Sequence, residues 1–241
     1  MNTPRTITAF ALETSSDVGS VALVRDNDLI AQERFAKGLR HGTDLVPALD
    51  RIVSTARIER SAVDLVVAGI GPGSYTGLRV GLASAKALAF ALRVPLVGVP
   101  SSDAAVYLLD PTPGRRVSVV VDAKREQVYL SSYLADDRAW TRLDDHRILP
   151  PEDAARQINP DDELIGDGAV RYRHIFVKAG LHVLDDCSST PEAAWVGRLG
   201  VKKHRQSAGD ELLTIEPLYL RMSEAEERRA RTDGKPPQST T

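Results

Sequence analysis

The chain has 241 residues and a mass of 26.2 kDa, which predicts one large domain or two small ones. Hydrophobic residues make up 42% and charged residues 27%, so the composition excludes a wholly disordered chain. The single cysteine, Cys187, excludes an intramolecular disulfide and a cysteine-based zinc site. A net charge of −2 argues against nucleic acid as the main electrostatic partner, and no apolar run predicts a signal peptide or a membrane span.

The first half of the chain predicts the order strand, strand, strand, helix, strand, helix, strand. Short apolar runs separated by turn residues predict the strands, and apolar residues at three- and four-residue steps predict the helices. The three leading strands are joined by tight turns, which predicts antiparallel neighbours. The strands are predicted at 6–12, 20–24, 29–35, 65–70 and 94–99, and the helices after Gly42 and over 75–92.

The second half begins to repeat that order. Strands are predicted at 117–121, 127–134, 141–148 and 164–165, with helices at 151–158 and 169–179. The two halves share a pattern without strong identity, which favours a duplicated α/β unit. The alternative, that any α/β chain yields such units, stays open. Residues 224–241 are rich in charge and end in a polar, proline-containing run, which predicts a disordered tail.

Common catalytic motifs are absent from the sequence. The chain has no GxxxxGK[ST] phosphate loop, no HExxH and no G-x-S-x-G, and no two of its five histidines are four residues apart. The sequence therefore predicts no catalytic residue, no bound metal and no cofactor.

The segment Gly71-Pro72-Gly73-Ser74 links a predicted buried strand to a helix. Glycines let a backbone approach closely, and a helix N-terminus offers free N–H groups to an anion. Gly71, Gly73 and Ser74 are therefore weak candidates for a phosphate loop. The alternative is a tight strand-to-helix turn in which Ser74 or Thr76 caps the helix.

The helix over 75–92 is apolar on most sides. It carries a narrow polar stripe and a ridge of small residues at four-residue spacing, and its two glycines would each cost about 1 kcal/mol relative to alanine. Such a ridge indicates close approach, either by its own sheet or by a partner helix. We predict a partner interface here, with the helix that follows Gly42 beside it. The predicted interface residues are Leu45, Leu49, Tyr75, Gly77, Leu78, Arg79, Gly81, Leu82, Ala85, Lys86 and Ala89.

Two carboxylates follow equivalent strands of the two halves. Glu13 follows the first strand, with three hydroxyl residues after it, and Asp122 follows strand 117–121. Such groups can hold hydrated Mg²⁺, so an opposed acid pair is one hypothesis. The alternative is that Glu13 closes a turn and Asp122 begins a charged one.

Five segments, in order, resemble the motifs of the TsaB family. The run GPGSYTGLRVG is the most specific of them, and together they extend from about residue 6 to residue 221. The segments are ALETS at 11–15, RHGTDLVP at 40–47, GPGSYTGLRVG at 71–81, VDAKREQVY at 121–129 and PLYLR at 217–221.

The resemblance implies the actin/Hsp70-like fold. It implies two ribonuclease-H-like lobes, predicted at 1–108 and 109–223, with the second reduced in size. It also implies a non-catalytic cytoplasmic subunit that pairs with a catalytic paralogue, TsaD, and with itself when TsaD is absent. A TsaE-like ATPase and tRNA are expected to join only through that complex. The implied reaction is N6-threonylcarbamoylation of the adenosine next to the anticodon in tRNAs that read codons beginning with A.

The sequence departs from the family pattern at Glu13, where aspartate is usual. An added methylene would displace a magnesium-bound water by about 1 Å, which weakens any phosphate chemistry there. The alternative function is an autonomous enzyme of the same fold, a small-molecule kinase or a glycoprotease-like hydrolase. A kinase would need a second phosphate loop, for which Gly166-Asp167-Gly168 is a weak candidate.

Overall fold

The computed structural model describes residues 5–35, 41–184, 190–207 and 212–220. Cys187, Arg221 and the predicted tail at 224–241 lie outside these ranges. Within them, no helix has both the length and the apolar content needed to cross a lipid bilayer.

The first sheet has five strands, and it confirms the five strands predicted for the first half. Its spatial order is β3-β2-β1-β4-β5, in which β1, β2 and β3 are antiparallel while β1, β4 and β5 are parallel. The strands are β1 (Thr8–Glu13), β2 (Ser20–Arg25), β3 (Asp28–Arg34), β4 (Leu65–Gly69) and β5 (Leu96–Val99).

Two long helices, α1 (His41–Ala56) and α2 (Tyr75–Leu92), share an apolar core with this sheet. Ser74 caps α2 by accepting a hydrogen bond from the Gly77 amide, which confirms the turn-and-cap alternative for that residue. A short 3-10 helix (Arg60–Ala62) follows α1, and a short helix, α3 (Ser101–Val106), follows β5 and leads to the second sheet.

The second sheet repeats the topology of the first. Its order is β8-β7-β6-β10-β11, with β6, β7 and β8 antiparallel and β6, β10 and β11 parallel. Both sheets therefore have the same order and the same strand directions, which confirms the predicted duplication. The strands are β6 (Arg116–Lys124), β7 (Gln127–Ala135), β8 (Trp140–Arg142), β9 (Arg147–Leu149), β10 (Glu163–Ile165) and β11 (His182–Val183), and the helices are α4 (Pro151–Gln157), α5 (Asp167–Arg171) and α6 (Arg173–Lys178).

Two predicted elements of the second half are divided. The strand predicted at 141–148 forms β8 and β9, which both pair with β7 but at separate places. Between β8 and β9, the Asp144 side chain accepts a hydrogen bond from the Ser132 amide of β7 at 3.3 Å. This side-chain bond replaces a backbone hydrogen bond of the sheet at the place where the pairing with β7 is interrupted. The helix predicted at 169–179 forms α5 and α6, which meet at Tyr172.

The last described helix, α7 (Ala193–Gln206), lies on the first sheet although it follows the second sheet in sequence. It packs against β1, β2 and β4 on the face opposite α1 and α2. The helix α7 therefore packs on the first lobe, although the predicted division at residues 109–223 assigned it to the second lobe. A Cβ atom on Gly200 would lie 2.3 Å from Cγ1 of Val67, so glycine is needed for this close contact.

We expect Gly200→Ala to lower the free energy of unfolding even though alanine is the better helix former. Helix propensity favours alanine by about 1 kcal/mol, whereas overpacking a buried contact typically costs about 1–3 kcal/mol. Urea unfolding measures the difference, with Lys202→Ala at an exposed position of α7 as the control. A more stable Gly200→Ala protein would show that α7 does not pack closely on β4.

Candidate functional site: the second helix and the interlobe cleft

The turn after β1 packs directly against the start of α2. A Cβ atom on Gly73 would lie 2.2 Å from the Ser15 carbonyl oxygen, and one on Gly77 would lie 2.1 Å from the Thr14 carbonyl oxygen. The Ser74 amide donates to the Ser15 carbonyl oxygen at 2.6 Å. Gly73 and Gly77 are therefore needed for a contact within the first lobe, because any larger residue would separate the turn after β1 from the start of α2.

The ridge of small residues on α2 continues this contact, so its assignment to a partner interface is wrong. A Cβ atom on Gly81 would lie 2.0 Å from Oγ1 of Thr14, and Ala85 and Ala89 are buried in the core beneath α2. The small residues admit the protein's own turn and sheet rather than a second chain. The same correction applies to four further predicted interface residues that are buried, Leu45, Leu49, Leu78 and Leu82.

The opposite face of α2 is open and, apart from Thr76, apolar. Its residues recur at steps of four and three, so they form one straight seam along the helix. Phe90 is 76% exposed at the end of this seam, an unusual position for a large aromatic side chain. We call this surface the outer seam of α2; it consists of Thr76, Val80, Ala83, Ala87 and Phe90.

The segment 212–220 lies along one side of the outer seam. The Tyr219 ring is 5.2 Å from the Tyr75 ring, and Lys86 donates to the Leu213 carbonyl oxygen at 3.2 Å. Arg79 lies 5.5 Å from the centre of the Tyr75 ring and donates to its hydroxyl at 3.1 Å. The predicted interface residues Tyr75, Arg79 and Lys86 thus lie along the same edge of the seam, at different heights.

Glu13 is fully buried at the end of β1. It accepts hydrogen bonds from the Ser15 amide at 2.6 Å and from the Ser101 hydroxyl at 2.8 Å. Burial raises the pKa of the Glu13 carboxyl, and these hydrogen bonds oppose that shift. A Cβ atom on Gly69 would lie 2.0 Å from Oε2 of Glu13, so the longer side chain fills the space that this glycine leaves.

The cleft between the two lobes has a volume of about 330 Å³ and is lined by residues of both. Asp122 accepts from Lys124 at 3.0 Å and from Arg171 at 3.2 Å, so its charge is compensated within the second lobe. Asp167 accepts from the Asp122 amide at 2.9 Å, and burial raises the pKa of the Asp167 carboxyl. Glu13 and Asp122 have separate partners, and they do not form the opposed acid pair that we considered.

The glycines of both candidate phosphate loops are explained by close packing. The Gly71 amide donates to the Ser101 hydroxyl at 3.1 Å, and the Ser74 amide donates to the Ser15 carbonyl oxygen. In the second lobe, a Cβ atom on Gly166 would lie 2.2 Å from the Val120 carbonyl oxygen, and one on Gly168 would lie 2.8 Å from the Val121 carbonyl carbon. Within the described ranges, no three histidine, cysteine or acidic side chains gather closely enough to hold a metal ion.

A serine–histidine pair adjoins the cleft, but the group beside its histidine differs from that of a hydrolase. The Ser102 hydroxyl is 2.7 Å from Nε2 of His146, and one Arg142 nitrogen is 3.3 Å from Nδ1 and 3.4 Å from Nε2. In a hydrolase triad a carboxylate orients the histidine and stabilises the imidazolium that forms. Here the positive charge of Arg142 disfavours the imidazolium that a general base would become.

We expect His146 to make the protein less stable in mild acid. Burial, with Arg142 nearby, lowers the pKa of His146 to about 4 from the ordinary 6.5. The unfolded chain therefore binds more protons between these two values, and the stability present above pH 6.5 is lost as the pH falls towards 4. The linked loss is about 3 kcal/mol.

His146→Gln should remove this loss while keeping a hydrogen-bonding partner for Ser102. Chemical unfolding at a series of pH values measures the difference between the two proteins, which cancels the contribution of the carboxyl groups. Parallel stability curves for the two proteins would contradict the prediction.

Comparison with known proteins places the chain in a family. A family model described as "TsaD: tRNA N6-adenosine threonylcarbamoyltransferase" matches residues 37–162, more than half of the chain. The chain therefore belongs to the family that this model describes.

Within that family, the named relatives are of the TsaB type. The "tRNA threonylcarbamoyladenosine biosynthesis protein TsaB" of Haemophilus influenzae is 28% identical over 225 residues, covering 89% of this chain and 94% of that protein. An uncharacterized protein of Mycobacterium tuberculosis is 33% identical over 171 residues, covering 70% of this chain and 75% of the relative. The solved structure of YeaZ from Pseudomonas aeruginosa matches with a TM-score of 0.75 and 26% identity, covering 89% of this chain and all of that one. These findings confirm the resemblance to the TsaB (YeaZ-type) family and the actin/Hsp70-like fold.

Proposed function

We propose that the chain is a non-catalytic subunit in N6-threonylcarbamoylation of the adenosine next to the anticodon in tRNAs that read codons beginning with A. In this proposal it pairs with the catalytic paralogue, TsaD, and activates it. The observation that carries the proposal is the outer seam of α2, an open apolar helix face in a member of the threonylcarbamoyltransferase family.

A paralogue of the same fold suits the outer seam as a partner. The matched region, residues 37–162, includes both α1 and α2, so a related subunit would present an equivalent pair of helices. Thr76, Ala83 and Ala87 are small, which lets two helices approach closely, and Phe90 supplies a large apolar anchor. Two helices from each subunit would form a four-helix contact.

The surroundings of the seam have the character of an interface rim. Arg79 and Lys86 lie along one side of the apolar residues, Arg79 beside the Tyr75 ring, which contacts Tyr219, and Lys86 further along the helix at Leu213. A polar rim around an apolar centre is typical of protein interfaces. The proposed interface keeps Tyr75, Arg79 and Lys86 at its rim. Its centre is the outer seam of α2 and not the buried ridge of small residues.

Three features of the described residues support a non-catalytic role. Glu13 is buried and bound by Ser15 and Ser101, and therefore cannot act on a ligand in the cleft. The glycines of both candidate phosphate loops contact the protein's own backbone. The His146 ring of the Ser102–His146 pair lies beside the positively charged Arg142, which disfavours the hydrolase alternative.

The other partners follow from this arrangement. A TsaE-like ATPase and tRNA would join through the complex, because the net charge of −2 gives this chain little attraction for RNA of its own. In the absence of TsaD, the outer seam would pair with that of a second copy. We place this complex in the cytoplasm.

Ala83→Glu should abolish pairing without unfolding the protein, whereas Ala85→Glu should unfold it. Ala83 is exposed on the outer seam, and Ala85 is fully buried on the opposite side of the same helix. An unpaired charge costs several kcal/mol in a buried contact, about 3–5 kcal/mol in related cases. Light scattering measures self-association and co-purification measures TsaD binding, with thermal melting by circular dichroism as the folding control. An Ala83→Glu protein that still pairs would exclude the outer seam as the interface.

The function itself is tested by reconstitution with the catalytic paralogue, its ATPase, tRNA and the threonylcarbamoyl donor. We expect modified adenosine only when this chain is present, and little or none with Ala83→Glu. Equal modification without this chain would contradict the proposed function. Modification that requires the chain but tolerates Ala83→Glu would contradict only the proposed interface.

A further inference from the structure

A second pocket lies on the other face of α3 from the interlobe cleft. Ser101, Ser102 and Ala105 of α3 line the cleft, whereas Asp103 and Tyr107 at its far side line this second pocket. Its volume is about 210 Å³, and its remaining walls come from β5, β7, β8 and α7. We call it the α7 pocket. It shares no residue with the cleft, and neither the outer seam nor the proposed pairing uses it.

Aromatic side chains converge on the α7 pocket in a chain that is only 5% aromatic. Tyr107, Tyr133 and Trp140 line it, and Trp195 stacks on Tyr107 with ring centres 5.2 Å apart. Trp140 donates its indole N–H to the Leu109 carbonyl oxygen at 3.1 Å, which fixes its ring. Trp140 is 8% exposed and Tyr133 is 1% exposed, so each presents little of its ring to the pocket, and the half-buried Tyr107, backed by Trp195, is the main aromatic surface.

The rim of the α7 pocket is basic. Asp103 accepts from Tyr133 at 2.8 Å and from Arg142 at 3.2 Å, so its charge is already compensated. Lys202 and Lys203 line the other side, and Lys203 reaches the Gly98 carbonyl oxygen at 3.2 Å. The pocket therefore has an excess of positive charge beside an aromatic wall, a combination that attracts an anion with an aromatic ring.

We propose that the α7 pocket binds a free mononucleotide, with its base against Tyr107 and its phosphate at Lys202 and Lys203. The volume holds about one ring system, which leaves the phosphate at the mouth, where the lysines are. Walls from the first sheet, from the second sheet and from α3 between them are typical of ligand sites at domain interfaces.

The two tryptophans make the test direct. AMP is titrated into the full chain while intrinsic fluorescence is recorded, with adenosine and inorganic phosphate as separate probes. We expect a saturable change with AMP and affinities at least about tenfold weaker for adenosine and for phosphate, since each supplies only one of the two interactions. Trp195→Phe should keep the signal, because Trp140 lines the pocket. No saturable change with AMP, or equal binding of phosphate alone, would overturn the proposal.

Two variants separate this pocket from general charge attraction. Lys202→Ala should weaken AMP binding, whereas Lys178→Ala, which removes the same charge from an exposed position on α6, should not. Leu199→Phe should fill the pocket and abolish binding with both lysines in place, with circular dichroism as the folding control. Equal effects of Lys202→Ala and Lys178→Ala would overturn the proposal. So would a short single-stranded oligoadenylate that binds more tightly than AMP, because the site would then be one for RNA.

Discussion

The close contact between the turn after β1 and the start of α2 determines how the first lobe is built. Thr14 and Ser15 occupy the space that side chains at Gly73, Gly77 and Gly81 would take, and the Thr14 hydroxyl donates to the Gly77 carbonyl oxygen at 2.8 Å. This contact fixes which side of α2 faces the sheet. The opposite side of a helix that is apolar nearly all round is consequently left open to a partner.

The helix α3 joins the two lobes through buried and half-buried polar contacts. Ser101 accepts from the Gly71 amide and donates to Glu13, while Ser102 meets His146 and Asp103 accepts from Tyr133. Hydrogen bonds to charged groups contribute about 1.5–3 kcal/mol each, and leaving one such buried group unpaired costs about as much. Successive residues of one short helix are thus tied to both sheets. The same helix separates the interlobe cleft from the α7 pocket.

Local sequence signals were sufficient for the five strands of the first sheet, the duplication and the cap at Ser74, because each depends on neighbouring residues. The direction in which α2 faces could not be predicted this way, since it depends on Thr14, which is 63 residues from Gly77. The helix α7 was not predicted, and its position depends on equally distant contacts: Gly197 lies against Val24 and Ala11, and Gly200 lies against Val67. The spacing of Thr76, Val80, Ala83, Ala87 and Phe90, at alternating steps of four and three, was a usable sequence signal for the outer seam. The ridge of small residues on the opposite side of the helix was equally regular, so spacing alone did not distinguish the two.

The two lobes use one device twice, and this explains residues that otherwise suggest an enzyme. Glu13 at the end of β1 accepts the amide of Ser15, two residues on, and Asp122 in β6 accepts the amide of Lys124, also two residues on. In the first lobe, the glycines that follow β4 contact the backbone just after β1. In the second lobe, the glycines that follow β10 contact the backbone of β6. A carboxylate that closes a turn and glycines that receive neighbouring backbone meet the demands of packing in both halves. Because the carboxylates and the glycines make contacts within the protein in each lobe, packing accounts for the acidic and glycine-rich motifs without requiring that either lobe retain phosphate chemistry.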